Sequence, residues 1–345
     1  MEISRVNPAN DISGETAKQR YCQMIDGLDA LTLSVTYDRY CRPFRSPLIT
    51  QHGRWAQRDG LLVRVVDARG RVGIGDIAPL PWFGTESLDD AIAFCEALPT
   101  VVSAVQLLAI PDRLPASQFG FGMALELLGL GDRPQWPTWR CAYLLPSGTA
   151  ARLESLQSGR TYKWKIGVAE NERLILPQLI RRLPTGALLR LDANGGLDAE
   201  TAAAWLTDCD RYAEDYGRPV VEFLEQPLPV DQVPQMQALG DRFRTPIALD
   251  ESVATLPQLR HWWQQGWSGI TVIKPAIAGY PHQVRQICQS RSDSIVWSSV
   301  FETAIAQWFI EQRLAAGFKS DRAVGFGVNH WLVPNSDPYP ITDDG

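Results

Sequence analysis

From about residue 140 to residue 327 the sequence alternates short apolar runs with stretches of helical periodicity. This alternation restricts the fold more than any other feature of the chain. The runs are Cys141–Leu145, Lys163–Gly167, Leu188–Asp192, Val221–Glu225, Ile247–Glu251, Ile270–Lys274, Ile295–Val300 and Val324–Gly327. Runs this short and this apolar are what strands buried on both faces look like. Their spacing is that of a strand plus its crossover helix, and eight such units in one stretch predict a parallel (β/α) barrel. An open, doubly wound sheet is the competing arrangement of the same units.

Charged residues stand where a buried strand should avoid them. Asp192 closes one run, Glu225 the next, and Asp250 lies at the end of the third, each one βα unit from the last. Taken singly, each is a common loop acid or helix cap. Together, at the same end of three consecutive barrel strands, they meet at one mouth, and mutual repulsion makes a cation the natural reason to gather them. Oxygen-only ligands with room for water and substrate suit Mg2+, with Mn2+ as the alternative. Lys163 and Lys165 are two residues apart on the preceding run, so they share a face while Trp164 points to the packing helices. On that face each lysine is expected to lower the other's pKa, which favours a general base. Lys274 ends the run after Asp250. Lysines on the second and sixth strands flank acids on the third, fourth and fifth, an arrangement suited to removing a proton from one side and meeting developing charge from the other.

The region ahead of the barrel reads as a small α+β unit. Leu31–Tyr37 and Leu61–Asp67 are strand-like, Arg69-Gly70-Arg71 marks a hairpin turn, and Ser87–Leu98 has helical periodicity. Thr50–Trp55, with Gly53, is expected to be a mobile loop near the mouth. The Gly73-x-Gly75 pair is no dinucleotide loop, because Pro79 and Pro81 follow and leave no helix N-terminus for a pyrophosphate. Residues 1–27 are expected to be a flexible extension, 28–132 a capping domain joined by 329–345, and 133–328 the barrel.

Composition removes several classes of function. A net charge of −6 argues against a nucleic-acid surface, and the chain has no apolar run long enough for a membrane span. No apolar leader segment is evident, and a cytoplasmic location is expected. The six cysteines are scattered with no C-x-x-C pair, and the four histidines show no H-E-x-x-H spacing, which speaks against disulfides and zinc. The expected partner is a small-molecule carboxylate substrate, with neither nucleic acid nor membrane; the oligomeric state is left open.

These motifs resemble the enolase superfamily, in its muconate-lactonizing subgroup: Lys163-x-Lys165, Asp192-x-Asn194, Glu225-Gln226-Pro227, Asp250-Glu251-Ser252 and Lys274-Pro275. Within it the o-succinylbenzoate synthase family is most similar. Gly73-Ile74-Gly75-Asp76-Ile77-Ala78-Pro79-Leu80-Pro81 is similar to that family's G-x-G-E-I-x-P-L-P stretch, with Asp76 in place of the usual Glu. Phe83-Gly84-Thr85-Glu86-Ser87 follows where the family has a specificity loop, and Ser298-Ser299-Val300-Phe301-Glu302-Thr303 is similar to its S-S-x-x-E-[ST] segment.

The resemblance implies an α/β fold, a (β/α)7β modified TIM barrel under an N-terminal α+β capping domain. It implies Mg2+ on Asp192, Glu225 and Asp250, with Lys165 as base. Lys163 would keep the pKa of Lys165 low, and Lys274 would sit over the opposite face of the ring. The implied reaction dehydrates 2-succinyl-6-hydroxy-2,4-cyclohexadiene-1-carboxylate to 2-succinylbenzoate on the way to menaquinone or phylloquinone. Asn194, Glu251, Ser298, Ser299 and Glu302 are candidates for substrate contact or for supporting the primary groups, and each also reads as an ordinary loop hydrogen-bonding residue. N-succinylamino acid racemases and dipeptide epimerases would use the same lysines as two bases; the segment Gly325–His330 lacks the D-x-D common in the epimerases. Muconate cycloisomerase fits the cap segments less well. An inactive barrel that only binds ligand is the reading from another class, and the intact lysines and acids count against it.

Overall fold

The structure, a computed structural model, describes residues 31–50, 53–128, 139–146, 148–167, 171–318 and 321–339. The expected extension at 1–27 lies outside them, as do Gln51 and His52 of the expected mobile loop.

An antiparallel sheet comes first, built from β1 (Thr32–Thr50), β2 (Gly53–Asp67), β3 (Val72–Ile77) and β4 (Val101–Ser103) in the order β3-β2-β1-β4. The β2–β3 turn falls at Arg69-Gly70-Arg71. Asp67 closes it by accepting from the backbone N–H groups of Arg69 (2.9 Å) and Arg71 (2.8 Å), and Gly70 takes a φ of +76°. Helix α1 (Leu88–Ala97) begins at Ser87 with a reciprocal capping box to Asp90, satisfying donors at the helix start. Helix α2 (Pro115–Leu127) is buried along almost its whole length against β3. Its N-terminus is capped by the buried Glu86, which accepts from the N–H groups of Ala116 (3.1 Å) and Ser117 (2.6 Å).

The first two strands run well past the predicted runs. They form a long two-stranded arm, Tyr40 pairing with Gly60 and Leu48 with Trp55 across a bulge. The arm carries no apolar alternation because its inward positions include charged groups. Arg42 and Arg58 sit directly opposite one another in the ladder, and both are buried.

The barrel strands are β5 (Tyr143–Leu144), β6 (Thr161–Lys165), β7 (Leu188–Asp192), β8 (Val221–Glu225), β9 (Ile247–Leu249), β10 (Ile270–Ile273) and β11 (Ile295–Trp297), all parallel and in sequence order. The eighth run is not a regular strand. It closes the ring through parallel bridges from Val324 to Cys141 and from Gly325 to Ser298. Gly325 is required at that seam, since a Cβ there would lie 2.7 Å from the Ser298 hydroxyl. Helices α3 (Glu172–Arg182), α4 (Ala199–Asp215), α5 (Val233–Arg242), α6 (Leu256–Gln264), α7 (Pro281–Cys288) and α8 (Ala304–Phe309) follow successive strands from β6 onward. The open doubly wound sheet is thereby excluded, and the chain is a (β/α)7β barrel with an antiparallel-sheet unit ahead of it.

Inside the barrel Phe223, Ala248, Ile270, Val272 and Val296 form an apolar layer. Below it, toward the strand N-termini, Glu222 pairs with Arg190 (2.8 Å) and Arg322 (2.7 Å). Trp164 points outward, fully buried, its ring 6.1 Å from that of Trp205 on α4. Cys41, Cys95, Cys141, Cys209 and Cys288 are free thiols, and Cys22 lies outside the described residues. Among the described residues no helix is long and apolar enough to cross a membrane.

Candidate active site

Five consecutive strands end at one mouth, and each delivers a chemically active side chain there. Lys165 ends β6, Asp192 ends β7 and Glu225 ends β8; Asp250 follows β9 and Lys274 follows β10. The ladder register places Lys165 beside Asp192 and Asp192 beside Glu225, so these groups stand at one level. Lys165 and Lys274 occupy the outer two of the five strands, with the three acids between. The three carboxylates are nearly inaccessible, at 1–2% exposure, which makes their charge costly unless matched.

The lysines supply part of that match. Lys163 Nζ lies 2.9 Å from Asp192 and 2.8 Å from Glu225, and Lys274 pairs with Asp250. Burial alone would lower the pKa of Lys163, but Asp192 and Glu225 outweigh it and hold the ammonium well above its usual range. For Lys163 this corrects the expectation of a pKa lowered by the neighbouring lysine, because Lys163 is clasped between Asp192 and Glu225. Burial pushes Glu225 up to about 7, reinforced by Asp192 and opposed by Lys163. Asp250 is raised by burial against the pull of Lys274. Asp192 is lowered, because Lys163 and Lys165 overcome the effect of burial.

Lys165 takes a different partner. Its ammonium donates to Asn194 Oδ1 (3.0 Å), while Asn194 Nδ2 donates to Glu251 Oε1 (2.9 Å), which fixes the orientation of the amide. Asn194 holds a left-handed backbone, φ +45°, as does Gln226 at +35°. Such conformations cost of order 1–3 kcal/mol for non-glycine residues and persist where surroundings enforce them. At Gln226 the enforcement is visible. Its side-chain oxygen accepts from the N–H groups of Asp250 (3.0 Å) and Ser252 (3.3 Å), and its amide donates to Leu228 O (3.0 Å) and Ser252 Oγ (2.7 Å). One carboxamide thus ties the end of β8 to the end of β9 and sets Glu225 relative to Asp250.

The donor set is oxygen-only and suits a hard divalent cation. Glu251 Oε2, buried at the same rim, has no hydrogen-bond partner. Among the described residues no three His, Cys, Asp or Glu side chains converge as a closed metal cage, since the ammonium groups stand between the acids.

Ser298 follows β11 and continues its pairing to Gly325. Ser299 and Glu302 turn toward each other: Glu302 Oε2 accepts from Ser299 Oγ (2.9 Å) and from the N–H of Val300 (2.7 Å). They shape the loop between β11 and α8. Sequence reasoning missed what grips that loop. Arg42 donates to the carbonyls of Phe301 (3.2 Å) and Glu302 (2.7 Å), and Arg58 donates to Val300 O (2.9 Å). Asp76 accepts from both Thr303 N and Thr303 Oγ1 at 2.8 Å. Two arginines in unpatterned strand were the only available signal. The segment after β3 also reaches the mouth, where the Phe83 ring lies 4.6 Å from Lys274 Nζ. A separate concavity of about 330 Å3, lined by Arg140, Cys141, Arg160 and Ala323 among others, opens at the opposite end of the strands, away from these groups.

Known proteins share this fold and much of this sequence. A family described as Enolase C-terminal domain-like matches residues 149–291, and the MenC N-terminal domain matches residues 33–128. The chain is 41% identical over 303 residues to an o-succinylbenzoate synthase of Thermosynechococcus vestitus, covering 85% of this chain and 91% of that protein. It is 29% identical over 316 residues to one from Photorhabdus laumondii, covering 88% of each. The crystal structure of o-succinylbenzoate synthase from Thermosynechococcus elongatus BP-1, with Mg in the active site, superposes with a TM-score of 0.78 at 37% identity, covering 87% of this chain and 94% of that one. A dipeptide epimerase from Methylococcus capsulatus, 20% identical with a TM-score of 0.67 over 88% and 92% of the two chains, shares the fold. The chain belongs to the o-succinylbenzoate synthase family of the enolase superfamily.

Proposed function

We propose that this chain catalyses the Mg2+-dependent dehydration of 2-succinyl-6-hydroxy-2,4-cyclohexadiene-1-carboxylate to 2-succinylbenzoate and water, a cytoplasmic step toward menaquinone or phylloquinone. The observation that carries the reading is the 41% identity to an o-succinylbenzoate synthase across 91% of its length. The lysine–acid–lysine order along five adjacent strand ends supplies the chemistry such a reaction needs.

Asp192, Glu225 and Asp250 would hold Mg2+, for which the oxygen-only donor set and the surplus of buried acid are suited. When bound, the cation supplies electrostatic stabilisation of the negative charge that develops on the substrate carboxylate. Lys165, steadied by Asn194, removes the proton from the carbon bearing that carboxylate. The electron pair left behind moves into the ring and expels the neighbouring hydroxyl, which leaves as water with a proton returned by Lys165. Lys274 faces the ring from the other side of the acid row, where a fixed positive charge favours the electron-rich intermediate. Lys163 neutralises part of the acid row. Glu251 fixes the amide of Asn194, while Ser298 is offered to the substrate from the β11 loop that Ser299 and Glu302 shape.

The test is the loss of cyclohexadiene absorbance with and without Mg2+, in the wild-type chain and in Lys165→Ala. Mg2+-dependent turnover that disappears in the variant is expected. Deuterium exchange at Cα of N-succinylamino acids or dipeptides, with no dehydration of the cyclohexadiene, would reject the reading in favour of a racemase or epimerase.

A further inference from the structure

The loop Ser298–Thr303 holds a bulky aromatic residue in a backbone conformation it avoids. Phe301 has a φ of +61°, in the left-handed region that penalises side chains with a Cβ. The loop's own hydrogen bonds do not account for this. Ser299 Oγ accepts from the N–H of Phe301 (3.0 Å), but the carbonyls of Val300, Phe301 and Glu302 are all held from outside, by Arg58 and Arg42. Thr303 is held by Asp76. Every one of these outside groups belongs to the antiparallel sheet, not to the barrel.

The ring of Phe301 faces the same way. It packs edge-on against Phe44 (centroids 4.9 Å apart) and Trp55 (5.5 Å), one from each strand of the β1–β2 arm. Phe44 and Trp55 also touch each other at 4.9 Å, and Trp55 meets Trp82 at 5.2 Å. Phe301 is therefore the aromatic side chain of the loop that joins the arm's cluster, and it does so from a left-handed backbone.

We propose that Phe301 is a positioning residue: its ring locks the β11 loop to the β1–β2 arm, and so sets how the loop beyond Ser298, from Ser299 to Thr303, closes over the barrel mouth. This rests on the synthase reading above. The loop leaves the wall at Ser298, which lies two residues beyond Val296 of the interior layer and is fixed by its pairing to Gly325 and by the bond its N–H donates to Ile273 O (2.8 Å), so what the arm sets is the course of the residues after it. The loop carries neither the proposed base nor a proposed metal ligand. Any contact it makes with substrate is therefore outside the reacting groups, so loosening it is expected to weaken substrate binding more than it slows the chemical step.

The experiment measures kcat and KM of the Mg2+-loaded enzyme on the cyclohexadiene substrate for Phe301→Gly, Phe301→Leu and Phe301→Tyr. The Gly and Leu variants are expected to raise KM by about tenfold with kcat held within about threefold. Tyr, which keeps the ring, should stay within about threefold of wild type in both. In a cycle with Trp55→Leu, the Phe301→Leu/Trp55→Leu double variant should be little worse than the poorer single one, as expected for two residues acting through one contact. Unchanged KM, a loss confined to kcat, a Tyr variant no better than Leu, or effects that multiply in the cycle would each overturn the proposal. If Phe301→Gly does not fold, Phe301→Leu and the cycle still decide. A wild-type chain inactive on this substrate would refute the synthase reading instead, which keeps the two failures distinct.

Discussion

Lys163 and Lys165 share a strand and a face, yet their surroundings separate them. Lys163 is clasped by Asp192 and Glu225, while Lys165 donates to a neutral amide. A group committed to two carboxylates is a poor proton acceptor, which leaves the base role to the lysine whose hydrogen bond goes to a neutral group. Replacing Lys165 with Ala should therefore lower kcat/KM by about 10²–10⁴-fold, the usual worth of a positioned general base, with the melting temperature nearly unchanged. Glu311 offers a test of a different kind. Burial pushes its carboxyl up to about 7 against the hydrogen bond from Gln307, and Glu302 adds to the rise. A carboxyl with a raised pKa in the folded state favours folding below its unfolded value near 4.5, and that contribution fades as pH climbs through about 7. Glu311→Gln should consequently raise the melting temperature at pH 8 more than at pH 5. An equal change at both values would count against this account.

At the scale of elements, Gly73 and Gly75 show how a familiar pattern gets its meaning from packing. Their spacing imitates a dinucleotide loop, but both lie in β3 under helix α2. A Cβ on Gly73 would fall 1.9 Å from the carbonyl oxygen of Ala124, and one on Gly75 equally close to that of Gly120. The glycines let a helix lie directly on a strand. Gly75→Ala should force the two apart and destabilise the chain by several kcal/mol, within or above the range for overpacked cores, as read by urea denaturation. The barrel strands were legible because an apolar run between helical stretches is a local signal. Seven of the eight predicted runs form regular strands within a few residues of their predicted ends, and the eighth is a pair of bridges at the seam. The β1–β2 arm was not legible. Its inward residues answer to a loop some 240 positions away, Arg58 to Val300 for example, and leave no local alternation.

Considered as a whole molecule, the protein brings a charged arm down over a barrel whose mouth concentrates buried acid. Gathering Asp192, Glu225 and Asp250 costs free energy that the lysines offset only in part, so a ligand that binds the folded acids and not the unfolded chain should stabilise the fold. Mg2+ at 100 times its dissociation constant would contribute about 2.7 kcal/mol. A thermal melt should shift upward with added Mg2+ and return with EDTA, and the shift should shrink in Asp192→Asn or Glu225→Gln. A melt indifferent to Mg2+ would separate the acid row from any role in holding the cation.

The sequence alone determined the repeating βα unit, the placement of three acids and two lysines at strand ends with Lys163 on the same face, and the family those motifs resemble. Each of these depends on residues near one another along the chain, where periodicity and spacing act. Tertiary structure decided which partners the lysines take, why Arg42 and Arg58 are buried face to face, and how Phe301 comes to be held in a left-handed turn. Those outcomes depend on barrel closure and on the docking of the arm, and contacts between segments hundreds of residues apart leave no period in the sequence to read.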